Sequence, residues 1–329
     1  MSANLIAFDI GESQAKLVWY VGNSKKKAVC AQLPDNLVSN GEIISMDAMA
    51  DFLKDIAKQN GIPRGAAAVI LPSSLVFTRN VDVPAMTDAQ LAYNLPFEFK
   101  DYLTQEKSRY FFDYAVQSTE KGDDGAINQM HLFACATLKE TVEDYREMFR
   151  RAGFKLKYAI PEEAAYAALL DPNGSTDGSD TCFVDVGYNA IRMLIYRGDV
   201  FVTRRTIDLG LRDVVQSLAD TRGIDAHMAH EHLLSDYDDA LTCDGSLEIY
   251  HNMAAEIMKA VNFYNYNNRE QTLRCIYLCG GGAAIEPLRN AVAELTGMEM
   301  RSAAKLMPNG VAMKEPWLYV KSIGCAEQC

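Results

Sequence analysis

The 329-residue sequence predicts an α/β protein made of two related domains. Three observations carry that prediction. Length comes first: at roughly 150 residues per domain it allows about two. Composition is ordinary for a globular chain, 49% hydrophobic and 23% charged, which excludes disordered, collagen-like and disulfide-framework classes. The third is an internal repeat. Leu5 to Gly22 (LIAFDIGESQAKLVWYVG) aligns with Cys182 to Gly198 (CFVDVGYNAIRMLIYRG). Asp9 matches Asp185, Gly11 matches Gly187, Lys16 matches Arg192, Tyr20 matches Tyr196 and Gly22 matches Gly198, all at a constant spacing of 176 residues. A lone Asp-x-Gly is weak evidence, but an ungapped set near half the chain length points to duplication.

The elements follow in order. Each copy of the repeat reads as an apolar strand ending at Asp, a Gly-containing turn and a returning strand. A third strand follows, Ala28 to Leu33 in the first half and Val200 to Ile207 in the second. Apolar residues at helical spacing then predict helices over Met46 to Asn60 and Leu211 to Arg222. Ala66 to Leu71 is a continuous apolar run, as in a strand buried on both faces.

The first half carries extra material. Val76 to Val83 predicts a strand, and Thr87 caps a helix expected to end before Pro96. Strands are expected over Tyr110 to Val116 and Met130 to Thr137, joined by the polar loop Glu120 to Gly125. A helix over Glu140 to Ala152, a strand over Lys155 to Ile160 and a short helix over Glu162 to Leu170 complete this half. The segment 171–180 (DPNGSTDGSD) has linker composition. In the second half, helices are expected near Ala226 to Leu234 and Leu247 to Asn268. The strand Cys275 to Cys279 then runs into Gly280-Gly281-Gly282 and a helix through Leu295.

Charge narrows the partners. Lys and Arg total 32 against 44 Asp and Glu, a net charge of −12, so a nucleic-acid backbone would be repelled. Lys25-Lys26-Lys27 reads as a solvated hairpin tip. The eight cysteines lack zinc-ribbon spacing, and several lie in apolar strands as small hydrophobes. No window nears ~18 uninterrupted apolar residues, and Met1 to Gly11 has no basic segment of a signal peptide, so a cytoplasmic chain is expected. His227, His230 and His232 beside Glu231 read as a solvated helix, because His232 lies well around from the other two.

Two hairpins from related domains are expected to face each other across a cleft. Gly11 and Gly187 let the backbone approach a ligand, and turn amides form an anion nest. Asp9 and Asp185 at the cleft floor are candidate ligands of Mg²⁺ bridged to phosphate. The strand–Gly280-Gly281-Gly282–helix element adds amides at a helix N-terminus.

These segments resemble the actin-like ATPase superfamily: DIGESQAK the first phosphate loop, VDVGYNAI the second, CGGGAAIEPL the adenosine motif and Ile160 to Ala164 the connector. Within it the sequence is similar to the PilM family of type IV pilus assembly proteins. The likeness rests on Val83-Pro84-Ala85-Met86, Leu95-Pro96-Phe97, Phe112 to Val116, Asn262-Phe263-Tyr264 and Ser322 to Ala326. It implies an α/β, actin-like fold with two RNase H-like domains flanking a nucleotide cleft. Domain I would be 1–170, with an FtsA-like inserted subdomain at about 78–137 and residues 316–329 returning to it. Domain II would be 181–315.

The resemblance also implies ATP and Mg²⁺ held by Asp9, Gly11, Glu12, Ser13, Lys16, Asp185, Gly187, Tyr188, Asn189, Gly280, Gly281 and Gly282, with Asp9 and Asp185 on the metal. Glu162 or Glu163 would position a hydrolytic water. Several positions depart from the family pattern. Glu12 replaces a small hydroxyl residue and would repel phosphate unless it turns outward. Tyr188 fills space near the phosphates, Leu209-Gly210 replaces Gly-Gly, and the segment Ala229 to Leu233 lacks a ribose lysine. Nucleotide binding is therefore expected to be weakened and hydrolysis weaker still.

Family members are cytoplasmic, dock at the inner membrane through partners, bind the tail of a PilN-type membrane protein and link it to the pilus machinery. The candidate groove is formed by Val83, Met86, Leu95, Phe97, Phe99 and Tyr102, with packing of the subdomain's own core as the other reading. Two alternatives stay open: an active ATPase or small-molecule kinase, and an FtsA-like filament-forming protein.

Overall fold

In the first hairpin, alternating apolar residues set the pairing of β1 (Asn4–Ile10) with β2 (Gln14–Val21), which places Asp9 opposite Lys16. β3 (Ser24–Gln32) continues the antiparallel ladder, and a small hairpin of β4 (Val38–Ser39) and β5 (Glu42–Ile43) follows. In this computed structural model residues 4–123, 125–170, 180–308 and 313–329 are described. α1 (Met46–Gln59) starts where the Ser45 side chain accepts the Ala48 N–H, and it buries Met49, Ala50, Leu53 and Ala57 on one stripe. β6 (Ala66–Leu71) lies parallel to β1.

An inserted unit comes next: β7 (Val76–Pro84), α2 (Asp88–Glu98), β8 (Tyr110–Lys121) and β9 (Ile127–Leu138). Its strands form a separate sheet in the order β7-β9-β8. Two expectations are corrected here. α2 continues through Pro96 rather than ending before it. Leu95 and Phe99 on either side of the proline are buried in the subdomain core. That burial holds the helical path although Pro96 has no N–H for the carbonyl of Ala92. The second correction is that β8 and β9 reach Lys121 and Ile127. The ladder needs only backbone groups, so it runs past the last apolar pair into polar sequence.

α3 (Lys139–Ala152) ends at Gly153, whose φ of +94° is a left-handed cap. β10 (Lys155–Pro161) joins β6 in parallel, and α4 (Glu162–Ala167) follows. The first sheet therefore has the order β10-β6-β1-β2-β3.

The second half repeats the plan with β11 (Asp180–Val186), β12 (Ile191–Arg197), β13 (Val200–Ile207), α5 (Leu211–Arg222), α6 (Ala226–Ser235), α7 (Asp244–Asn267), β14 (Leu273–Cys279), α8 (Glu286–Thr296) and β15 (Glu299–Arg301). Its sheet order, β13-β12-β11-β14-β15, is the first sheet's order read from the other end. The linker expected at 171–180 lies outside the described residues except for Asp180. That residue opens β11 fully buried, accepting hydrogen bonds from Arg197 and Tyr264.

α9 (Val320–Gln328) returns to pack on α4, β1 and β6. Gly324 makes that approach possible, since a Cβ there would lie 1.8 Å from the Ala165 carbonyl oxygen. Each sheet has its own apolar core, and a third, aromatic cluster packs Tyr166 of α4 against Phe183, Tyr196 and Phe201 of the second sheet.

Candidate functional site: a cleft between the two sheets

The two hairpins are built alike. In each, the turn glycine donates its N–H within the turn, Gly11 to the Gln14 carbonyl at 2.9 Å and Gly187 to the Ala190 carbonyl at 3.0 Å. In each, the aspartate faces a basic residue across the strand pair, Asp9 with Lys16 and Asp185 with Arg192. Both aspartates are buried, and they converge on a group the motifs did not contain. Lys321 of α9 places its Nζ 3.3 Å from Asp9 Oδ1 and 3.1 Å from Asp185 Oδ2. Lys16 Nζ lies 3.9 Å from the other Asp9 oxygen. Burial alone would raise the Asp185 carboxyl, but Lys321, Arg192 and Lys16 outweigh it and hold it below its ordinary range. Burial would likewise lower the Lys321 ammonium, and Asp185, Asp9 and Glu162 instead raise it.

The cleft measures about 210 Å³. Asp9, Gly11, Glu12, Ser13 and Lys16 line it from the first hairpin, Asp185, Gly187, Tyr188 and Asn189 from the second, and Gly280 and Gly281 from the third element. Gly282 does not reach it. It is buried beneath Val186, where a Cβ would meet a methyl carbon at 2.4 Å. The Glu12 carboxylate accepts the N–H of Gly41. The Tyr188 ring packs 5.3 Å from that of His230.

Three features of this arrangement bear on the expectation of a bound magnesium–triphosphate. First, Lys321 stands where Asp9 and Asp185 were expected to hold Mg²⁺. Second, several backbone amides around the cleft already have partners in the protein. Gly280 donates to the Trp317 carbonyl at 3.1 Å, and the first amides of α5, Leu211 and Arg212, donate to the carbonyls of Gly187 and Tyr188. Third, Glu162 and Glu163 are turned into a buried ion cluster. Arg204 lies 3.6 Å from Glu162 Oε1 and 2.7 Å from Glu163 Oε1, and Thr78 donates to Glu163 at 2.9 Å. Burial, with Glu162 adding to it, raises the Glu163 carboxyl despite Arg204.

The expected partner groove is also only partly present. Val83, Leu95 and Phe99 are buried in the subdomain's own core, because they sit on the faces of β7 and α2 that close on each other. Met86 is half-buried at its edge. Phe97 and Tyr102 are exposed and are joined by Tyr93, whose ring lies 5.9 Å from that of Phe97. A cation lies over each of two of these rings: Lys107 is 4.2 Å from the Phe97 ring centre and Arg79 5.5 Å from that of Tyr102.

Motif reading missed Lys321, Arg204, Thr78 and Trp317, and it placed His230 on a solvated helix, whereas His230 lines the cleft against Tyr188. For Lys321 a signal existed, a single charge inside the apolar run Leu318 to Ala326. The others carry no local signal, since distant segments bring them to the site.

The chain was compared with known proteins. No curated protein sequence matches it. Among solved structures it is similar to a PilM–PilN type IV pilus biogenesis complex, with a TM-score of 0.79 at 18% identity over 98% of this chain and 97% of that one. It is also similar to the ethanolamine utilization protein EutJ from Carboxydothermus hydrogenoformans, with a TM-score of 0.62 at 13% identity over 99% and 89% of the two chains. The archaeal actin homolog Ta0583 matches with a TM-score of 0.51 at 11% identity over 99% and 98%. The fold is thus actin-like, with two RNase H-like domains. A family model described as type IV pilus assembly protein PilM matches residues 7–307, and the chain belongs to that family.

Proposed function

We propose that this chain is an actin-like scaffold of the type IV pilus inner-membrane assembly complex that binds the cytoplasmic tail of a PilN-type membrane protein. The observation that carries this reading is a set of exposed aromatics on the inserted subdomain of a chain in this family, with Tyr93 and Phe97 in ring contact. Tyr93 is 71% exposed, and Phe97 and Tyr102 are each 47% exposed. Large apolar rings left together on a surface suit a protein contact better than water. The flanking Lys107 and Arg79 favour an extended peptide that offers apolar anchors and a carboxylate. Similarity to the PilM–PilN complex along nearly the whole chain supports the same partner class.

Among the described residues no helix is long and apolar enough to cross a membrane. In this reading the protein is held at the inner face of the cell membrane by its partner. On the same reading the cleft serves structure more than hydrolysis, because Lys321 bridges its two aspartates. The test is a titration with a labelled N-terminal tail of a PilN-type protein encoded nearby. Saturable binding that weakens at least tenfold in Phe97→Ala supports the proposal, and absence of binding to the intact protein overturns it.

A further inference from the structure

We propose that the Lys321 ammonium is a built-in cation that replaces a divalent metal between Asp9 and Asp185 and couples the two domains without metal or nucleotide. The geometry is direct. A divalent ion bound by these carboxylates would lie about 2.0–2.6 Å from their oxygens. That position is taken by an ammonium 3.3 Å and 3.1 Å from one oxygen of each. Two cations sharing two buried carboxylates would repel each other.

Lys321 has little freedom to leave. Its neighbours Val320, Ser322, Ile323, Gly324 and Cys325 are buried, and Gly324 sits against the α4 backbone. Its side chain is only 16% exposed. The ammonium stays charged there, because the surrounding carboxylates outweigh the burial that would neutralise it. Asp9 belongs to the first sheet and Asp185 to the second, while α9 packs on the first. One side chain therefore ties both domains together. The inference is independent of the peptide contact, which lies on another face.

The experiment measures Mn²⁺ binding to the full chain by loss of the free-ion paramagnetic resonance signal, alongside thermal unfolding with and without about 1 mM Mn²⁺. Wild type is expected to show no loss of signal and no shift in melting temperature. Lys321→Ala is expected to melt lower, then to bind Mn²⁺ and recover by several degrees, and adding Asp185→Asn should abolish that recovery. Lys321→Ala that folds but gains no Mn²⁺ binding overturns the proposal. Should it not fold, the wild type decides: no Mn²⁺ binding supports the inference, and binding abolished by Asp185→Asn overturns it.

Discussion

The cleft floor and the inserted subdomain hold themselves together by different means. At the cleft floor, charge is held by charge. Asp9, Asp185, Glu162 and Glu163 are buried, and Lys321, Lys16, Arg192 and Arg204 surround them. The subdomain has an apolar core of Val81, Val83, Leu91, Leu95 and Phe99 but leaves Tyr93, Phe97 and Tyr102 in water. Built-in cations pair these carboxylates, while Asp9 Oδ2, Glu162 Oε1 and Glu163 Oε2 accept no hydrogen bond. A region that buries enough rings to fold and still exposes others has contact surface to spare. That difference is why the proposed partner contact is placed on the subdomain rather than in the cleft.

The comparison can be broken most sharply at Phe99, which is fully buried. Phe99→Ala should cost about 3–5 kcal/mol in urea unfolding, the usual range for emptying a buried ring site. A loss below ~1 kcal/mol would mean that the subdomain core does not depend on this ring.

On the cleft side, Arg204→Met leaves buried Glu163 without its cation and Glu162 with only Arg192, 3.9 Å away, and should cost about 3–5 kcal/mol at pH 7. The sign with pH follows from Glu163. Its folded value lies above the ordinary 4.5, so its contribution to stability is fully present below 4.5 and is lost as pH rises through the folded value. The deficit of Arg204→Met should therefore shrink on acidification from pH 7 toward 4.5. A deficit independent of pH in parallel urea titrations would show that charge is not what Arg204 supplies.

Gly282→Ala probes whether the third glycine element serves packing. A Cβ there would press on Val186, so a cost of about 1–3 kcal/mol is expected. Thermal unfolding indistinguishable from wild type would count against that reading.

The smallest stability effect is expected two residues before Phe99. Phe97→Ala, at an exposed ring, should stay within about 0.5 kcal/mol of wild type while losing partner affinity. Circular dichroism melts beside the tail titration separate the two outcomes. A large stability loss would move Phe97 from contact surface to core.

Much of this was legible in the sequence. The paired Asp-x-Gly turns showed the duplication because a hairpin is a local structure, and its register puts the same residues opposite one another in both halves. Strand and helix order followed from apolar periodicity for the same reason. The path of α2 through Pro96 was not legible, since burial of Leu95 and Phe99 overrides a local preference. Alternation alone also did not say which of Phe97 and Phe99 faces inward.

What the sequence by itself determined was the pair of repeated hairpins and the positions of the carboxylates in them. What only the tertiary structure decided was the cation that meets those carboxylates. Lys321 lies more than a hundred residues from either aspartate and reaches them because α9 folds back onto the first sheet. Local pattern carries local geometry, whereas the balance of charge in a buried cleft depends on which distant segments are packed around it.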